Sequence, residues 1–97
     1  MNNKSKLDPE YEKIVKDNPD KKFILYLRRH PQDEMETLLL NNLRLTYGEY
    51  KSVPEDRLVI FIVKGIQVQE FIDKLNNSDT EMYLSFIQDE DELNKPS

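Results

Sequence analysis

The sequence predicts one α+β domain of the ferredoxin-like kind: a four-stranded antiparallel sheet in βαββαβ order with two helices on one face, preceded by a short helix. Three observations predict it. Nearly all Leu, Ile, Val and Phe fall within residues 23–87. Two runs there are apolar on both faces, as strands in the middle of a sheet are. Helical and strand periodicities alternate along the block in the split βαβ order.

Residues 1–19 read as a polar segment and a short amphipathic helix. Asp8 can cap it, Pro9 suits its first position, and Tyr11, Ile14 and Val15 line one side. Asn18-Pro19 stops it, because the residue before proline avoids the helical region. Residues 20–88 form the main domain. Lys22–Arg28 reads as its first strand. Pro31 and the acids after it open a helix with Met35, Leu38 and Leu39 as its buried stripe, ending near Asn41-Asn42. Residues 43–50 alternate apolar and polar at first, which predicts a strand, with prolongation of the helix as the alternative. Residues 51–56, containing Pro54, connect it to the clearest strand, Arg57–Lys64. After Gly65, Val68, Phe71, Ile72 and Leu75 recur at helical spacing; Asn76–Asp79 break the pattern, and Met82–Ile87 is the last strand. Residues 89–97 read as a flexible acidic tail. Right-handed crossovers put the first and third strands in the centre.

Ninety-seven residues allow one core. There is no cysteine, so disulfides and thiolate chemistry are excluded. No apolar run approaches the roughly 20 residues that span a bilayer, and charged residues follow the N-terminus, so a cytoplasmic protein is expected. Net charge is −5 and unevenly placed: residues 1–30 are net basic, and residues 31–97 carry 14 acids against six bases. That balance argues against a large phosphate-tracking surface.

Alternation divides the strand residues between two faces. Phe23, Leu25, Leu27, Leu58, Ile60, Ile62, Met82, Leu84 and Phe86 are expected to face the helices. Ile24, Tyr26, Val59, Phe61, Val63, Tyr83 and Ile87 are expected on the open face, which is then too apolar for water. Three covers are open: the N-terminal helix, a second copy in a homodimer, or a partner. Ile24, Tyr26, Val59, Phe61 and Tyr83 are the candidate partner-binding residues. RNA-recognition domains stack bases on aromatics of the two central strands, where Tyr26 and Phe61 lie. The third strand lacks the glycine and alternating aromatics of that motif, so nucleic acid ranks below protein.

Arg28, Arg29 and His30 are the candidate anion site, two guanidiniums and an imidazole ahead of a helix. The plainer reading pairs the arginines with nearby acids. The single histidine cannot supply a zinc site, no nucleophile motif surrounds any serine, and Asp89–Glu92 lacks the spacing of a calcium loop. Asp33, Glu34 and Glu36 read as ordinary helix-start acids. No metal, cofactor or catalytic residue is expected. The expectation is a small non-enzymatic regulator, adaptor or inhibitor that binds a protein, with nucleic-acid binding on the open face and small-anion binding at Arg28–His30 as alternatives.

Overall fold

A computed structural model describes residues 6–28, 34–48, 50–78 and 80–93. Its elements are α1 (Pro9–Asp17), β1 (Lys22–Arg28), α2 (Glu34–Tyr47), β2 (Tyr50–Val53), a 3-10 turn (Pro54–Asp56), β3 (Leu58–Lys64), α3 (Gly65–Asn76), β4 (Tyr83–Asp89) and the one-turn helix α4 (Glu90–Leu93). It is an α+β architecture with a four-stranded sheet in the order β2-β3-β1-β4. Every neighbouring pair is antiparallel, and β1 and β3 occupy the centre. Their double-sided apolar character fits that position.

One layer of helices covers one face of this sheet. Phe23, Leu25 and Leu27 of β1 and Val59, Phe61 and Val63 of β3 form a single core with Leu40 and Leu43 of α2 and Val68, Phe71, Ile72 and Leu75 of α3. The Phe61 and Phe71 rings meet at 5.1 Å.

α1 joins the same layer. Pro9 sits in its first turn with Glu10 and Glu12, where carboxylates favour the helix dipole. Leu7 and Val15 are buried in the common core, and Tyr11 meets Phe23 edge-on at 6.3 Å. The chain after α1 then caps the start of α3. Gly65 N–H donates to the Lys21 carbonyl at 2.8 Å, and Ile66 N–H donates to Pro19 at 3.0 Å. These carbonyls satisfy two of the donors that every helix start leaves open. A Cβ on Gly65 would collide with the Asn18 carbonyl oxygen and stand 2.9 Å from that of Val15, so glycine is what lets α1 approach. Of the three covers left open for the second face, α1 is therefore not the one: it packs beside α3 on the helix side.

Residues 43–47 are helical, as the alternative reading had it, and the strand begins only at Tyr50. Glu36, Leu40 and Leu43 are buried and Tyr47 packs on Phe71 at 5.2 Å, a helical stripe. Leu45, by contrast, is 84% exposed, so the Leu43/Leu45/Tyr47 alternation was fortuitous. The helix ends because Gly48 takes φ +90° and donates its N–H to the Arg44 carbonyl at 2.9 Å.

At the other end, Asp89 closes β4 and Glu90–Leu93 make a helical turn within the segment expected to be a flexible tail, of which residues 94–97 lie outside those described. Lys21 holds both Asp89 (2.9 Å) and Asp91 (2.8 Å). The hydrogen bonds to Asp91 and then Asp89 raise the Lys21 ammonium above the ordinary lysine range.

Candidate functional site

The strand register fixes what the second face of the sheet presents. Tyr26 lies opposite Ile60 and Phe86, Ile24 opposite Ile62 and Gln88, and Arg28 opposite Leu58 and Tyr83. Lys51 and Val53 of β2 lie opposite Ile60 and Leu58. The central strip is therefore Leu58, Ile60, Ile62, Ile24, Tyr26 and Phe86.

Four expected members of this face are corrected, three of them in β3. Val59 and Phe61 are fully buried on the helix side, where Phe61 packs on Phe71, and Val63 accompanies them. Leu58, Ile60 and Ile62 take the open side instead. The reason is phase: a one-residue shift exchanges the faces, and an all-apolar strand does not reveal its own phase. Lys64 carried the missing signal, since it shares its parity with Leu58, Ile60 and Ile62, as Lys22 and Arg28 share theirs with Ile24 and Tyr26. In β4 a register shift near Ser85 breaks the alternation. Leu84 pairs with Leu27 on the inner side, but Phe86 then faces outward and Ile87 inward, both opposite to expectation. Ile24, Tyr26 and Tyr83 do lie on the open face.

These side chains are not equally accessible. Phe86 is 55% exposed and Tyr83 44%, whereas Ile24, outside the core cluster, is buried. The α4 turn lies against β1 and β4. The Tyr26 and Phe86 rings tilt at 47° with centroids 5.6 Å apart, and the Tyr26 hydroxyl donates to Gln88 Oε1 at 3.0 Å. They form one packed pair rather than two parallel platforms. The charges around them share a sign. Every charged strand residue on this side is basic: Lys22 and Lys64 face each other at one end, Lys51 lies on the β2 edge, and Arg28 marks the far end. Asp89, the acid within the described strands, lies opposite Phe23 in the register of the helix side, and Glu90 and Asp91 follow it in the α4 turn.

Of the candidate anion site only Arg28 falls among the described residues; Arg29 and His30 lie outside them. Arg28 is exposed, and its Nη1 donates to the Asp56 carbonyl at 3.3 Å, toward the turn between β2 and β3.

A groove of about 640 Å³ runs between α2 and α3, lined by Leu39, Leu43, Asn42, Thr46, Glu70 and Lys74 among others. Its charged groups are already engaged. Glu70 accepts the Tyr47 hydroxyl at 2.7 Å, Asp73 accepts from Gln69 at 3.0 Å, and the Lys74 ammonium stands 5.7 Å from the Tyr47 ring centre. Burial pushes the Tyr47 phenol up, and the Glu70 carboxylate pushes it the same way. Its hydroxyls are engaged as well: Thr46 Oγ1 donates to the Asn42 carbonyl at 2.8 Å and Ser78 Oγ to the Leu75 carbonyl at 2.7 Å. Glu36, read from sequence as an ordinary helix-start acid, is fully buried on the inner side of α2. Its spacing of four and seven from Leu40 and Leu43 was the available signal. Among the described residues no cluster of His, Cys, Asp or Glu is arranged to hold a metal ion, and no helix is long and apolar enough to cross a membrane.

Compared with protein families, with curated proteins and with solved structures, the chain finds no match in any of the three.

Proposed function

We propose that this chain is a small cytoplasmic interaction module of ferredoxin-like architecture, without catalytic activity of its own, that docks a partner protein on the open face of its sheet. The βαββαβ order and the antiparallel sheet β2-β3-β1-β4 support the architecture. One observation carries the function: an apolar strip crosses the sheet on the side away from α1, α2 and α3, with Phe86 its most exposed member and the exposed Tyr83 on the same face. Contiguous apolar surface of this kind marks a contact site.

The basic fringe selects the partner's chemistry. A segment with one apolar and one acidic face would lay the first on Ile60, Ile62, Tyr26 and Phe86 and bring the second to Lys22, Lys51, Lys64 and Arg28. A second copy packed face to face would oppose the same four cations, which disfavours it. Stacked nucleic-acid bases fit less well, because β3 offers isoleucines where a base needs an aromatic ring.

The test is a fluorescence-anisotropy titration with three labelled probes: a helical Leu/Glu amphipathic peptide, its Leu/Lys counterpart, and an oligo-dT strand. The Leu/Glu peptide should bind in a salt-sensitive way, and Lys51→Glu with Lys64→Glu should abolish binding while the circular dichroism stays unchanged. Equal binding of both peptides, or no binding at millimolar protein, overturns the reading. Tighter binding of oligo-dT replaces it with nucleic-acid recognition.

A further inference from the structure

We propose that a second copy of this chain packs along the solvent side of α2, helix against helix, with Met35, Leu38, Asn42 and Leu45 as the seam. The surface is separate from the sheet face, and the proposal does not depend on what binds there.

α2 is apolar on two sides. Its inner side, Glu36, Leu40, Leu43 and Tyr47, packs on the sheet and α3. At about 100° per residue, Met35, Leu38, Asn42 and Leu45 fall within about 80° of arc, centred roughly 160° from the inner side. The three apolar members are 48%, 59% and 84% exposed, the last among the most exposed large apolar side chains in the described chain. An amphipathic helix on the surface of a small domain turns charge outward. This one turns out Leu and Met.

The spacing, three then four then three, is that of the a and d positions of a heptad, the pattern by which two helices interlock. Asn42 falls at an a position between Leu38 and Leu45. A single asparagine there is the known device for fixing register, because side by side with its own copy each amide donates to the other. In an antiparallel pairing Asn42 would instead face Leu38 and leave its amide unsatisfied in an apolar seam. The self-complementarity therefore points to a parallel, in-register pair of α2 helices related by a two-fold axis. Asn42 is what singles out a second copy rather than an unrelated helix: its polarity is matched when the partner presents the same residue at the same height.

The size of the surface sets how tight the pair is. A 14-residue helix is about 21 Å long and 10 Å across, so the strip covers on the order of 200 Å² per protomer, about a quarter of a standard stable interface. Two heptads are also fewer than the three to four that mark a persistent coiled coil. Association should therefore be weak and reversible, with a dissociation constant on the order of 100 μM.

The experiment is sedimentation equilibrium of the full chain over a wide concentration range, beside Leu38→Glu with Leu45→Glu, and Asn42→Leu. The wild type should move from monomer to dimer across the range. The double variant should stay monomeric with its thermal midpoint unchanged, since both side chains face water in the monomer. Asn42→Leu should associate at least tenfold more tightly and lose strict two-fold stoichiometry. Phe86→Ser, on the sheet face, should dimerise like the wild type. A wild type monomeric at millimolar concentration overturns the proposal, as does a dimer that survives the double substitution. If Asn42→Leu weakens the dimer, the seam does not run through Asn42 and the register argument falls.

Discussion

The inner and outer faces of the sheet are made of the same kinds of residue. β3 sends Val59, Phe61 and Val63 to one side and Leu58, Ile60 and Ile62 to the other, yet the first three are fully enclosed and the second three only half-buried. What separates them is the helix layer, which lies on one side alone. Composition decides that a strand is central; neighbours decide which of its faces becomes core. An apolar side chain contributes to stability in proportion to the area that leaves water, so the two faces should respond very differently to truncation.

The sharpest way to break the comparison is Phe61→Ala. It removes a ring from the core beside Phe71 and should cost about 4 kcal/mol in urea unfolding. Ile60→Ala, one residue along on the outer face, should cost about 1 kcal/mol; equal losses would mean that the outer face is covered in the free protein. Next comes Gly65→Ala, at the contact between α1 and α3. The added methyl meets backbone carbonyls that cannot rotate away, so a loss of about 2 kcal/mol is expected, with α1 the part that gives way. Selective loss of amide protection in α1 would show it. Gly48→Ala should cost about 1 kcal/mol. It fills open space, so only the left-handed backbone resists it, and Gly48→Asn should recover part of the loss.

The smallest effect concerns Tyr47. Tyr47→Phe should cost about 0.5 kcal/mol, the net value of a partly exposed hydrogen bond to Glu70. Because the folded phenol ionises above the ordinary tyrosine range, its contribution is fully present below about pH 10 and is lost as pH rises through the folded value. A phenolate absorbance titration should show one tyrosine ionising late, and that late step should vanish in Tyr47→Phe.

Much of this fold was legible because local chemistry and tertiary role agree. Asp8-Pro9 and Asn18-Pro19 bracket α1 as expected, and the spacing of Val68, Phe71, Ile72 and Leu75 is the inner side of α3. The centrality of β1 and β3 could be read from their double apolarity. Failures came where two patterns overlap. Leu43, Leu45 and Tyr47 satisfy strand alternation while Glu36, Leu40, Leu43 and Tyr47 satisfy a helix, and packing on Phe71 favours the helix. Val59 and Phe61 were placed on the wrong face because an all-apolar strand hides its phase. Of the candidate partner surface, Ile24, Tyr26 and Tyr83 were foreseen; Ile60, Ile62 and Phe86 were not. Phe86 depended on a register shift that nothing in Tyr83–Ile87 announces. The exposed Met35/Leu38/Leu45 stripe was not foreseen: Met35 and Leu38 were expected to be buried and Leu45 to lie in a strand, and the structure puts all three in water on α2.

The clasp between the end of α1 and the start of α3 has a consequence for the order of events during synthesis. α1 leaves the ribosome ahead of α3, and the surface it closes on is made roughly fifty residues later, a separation that makes the contact slow and non-local. The carbonyls of Pro19 and Lys21 wait for the N–H groups of Ile66 and Gly65. A nascent chain stalled after Lys64 should therefore leave α1 open to protease, and one extended past Asn76 should protect it. The earlier-made helix is locked only by the later one, and the start of α3 is capped only when the segment after α1 returns to it.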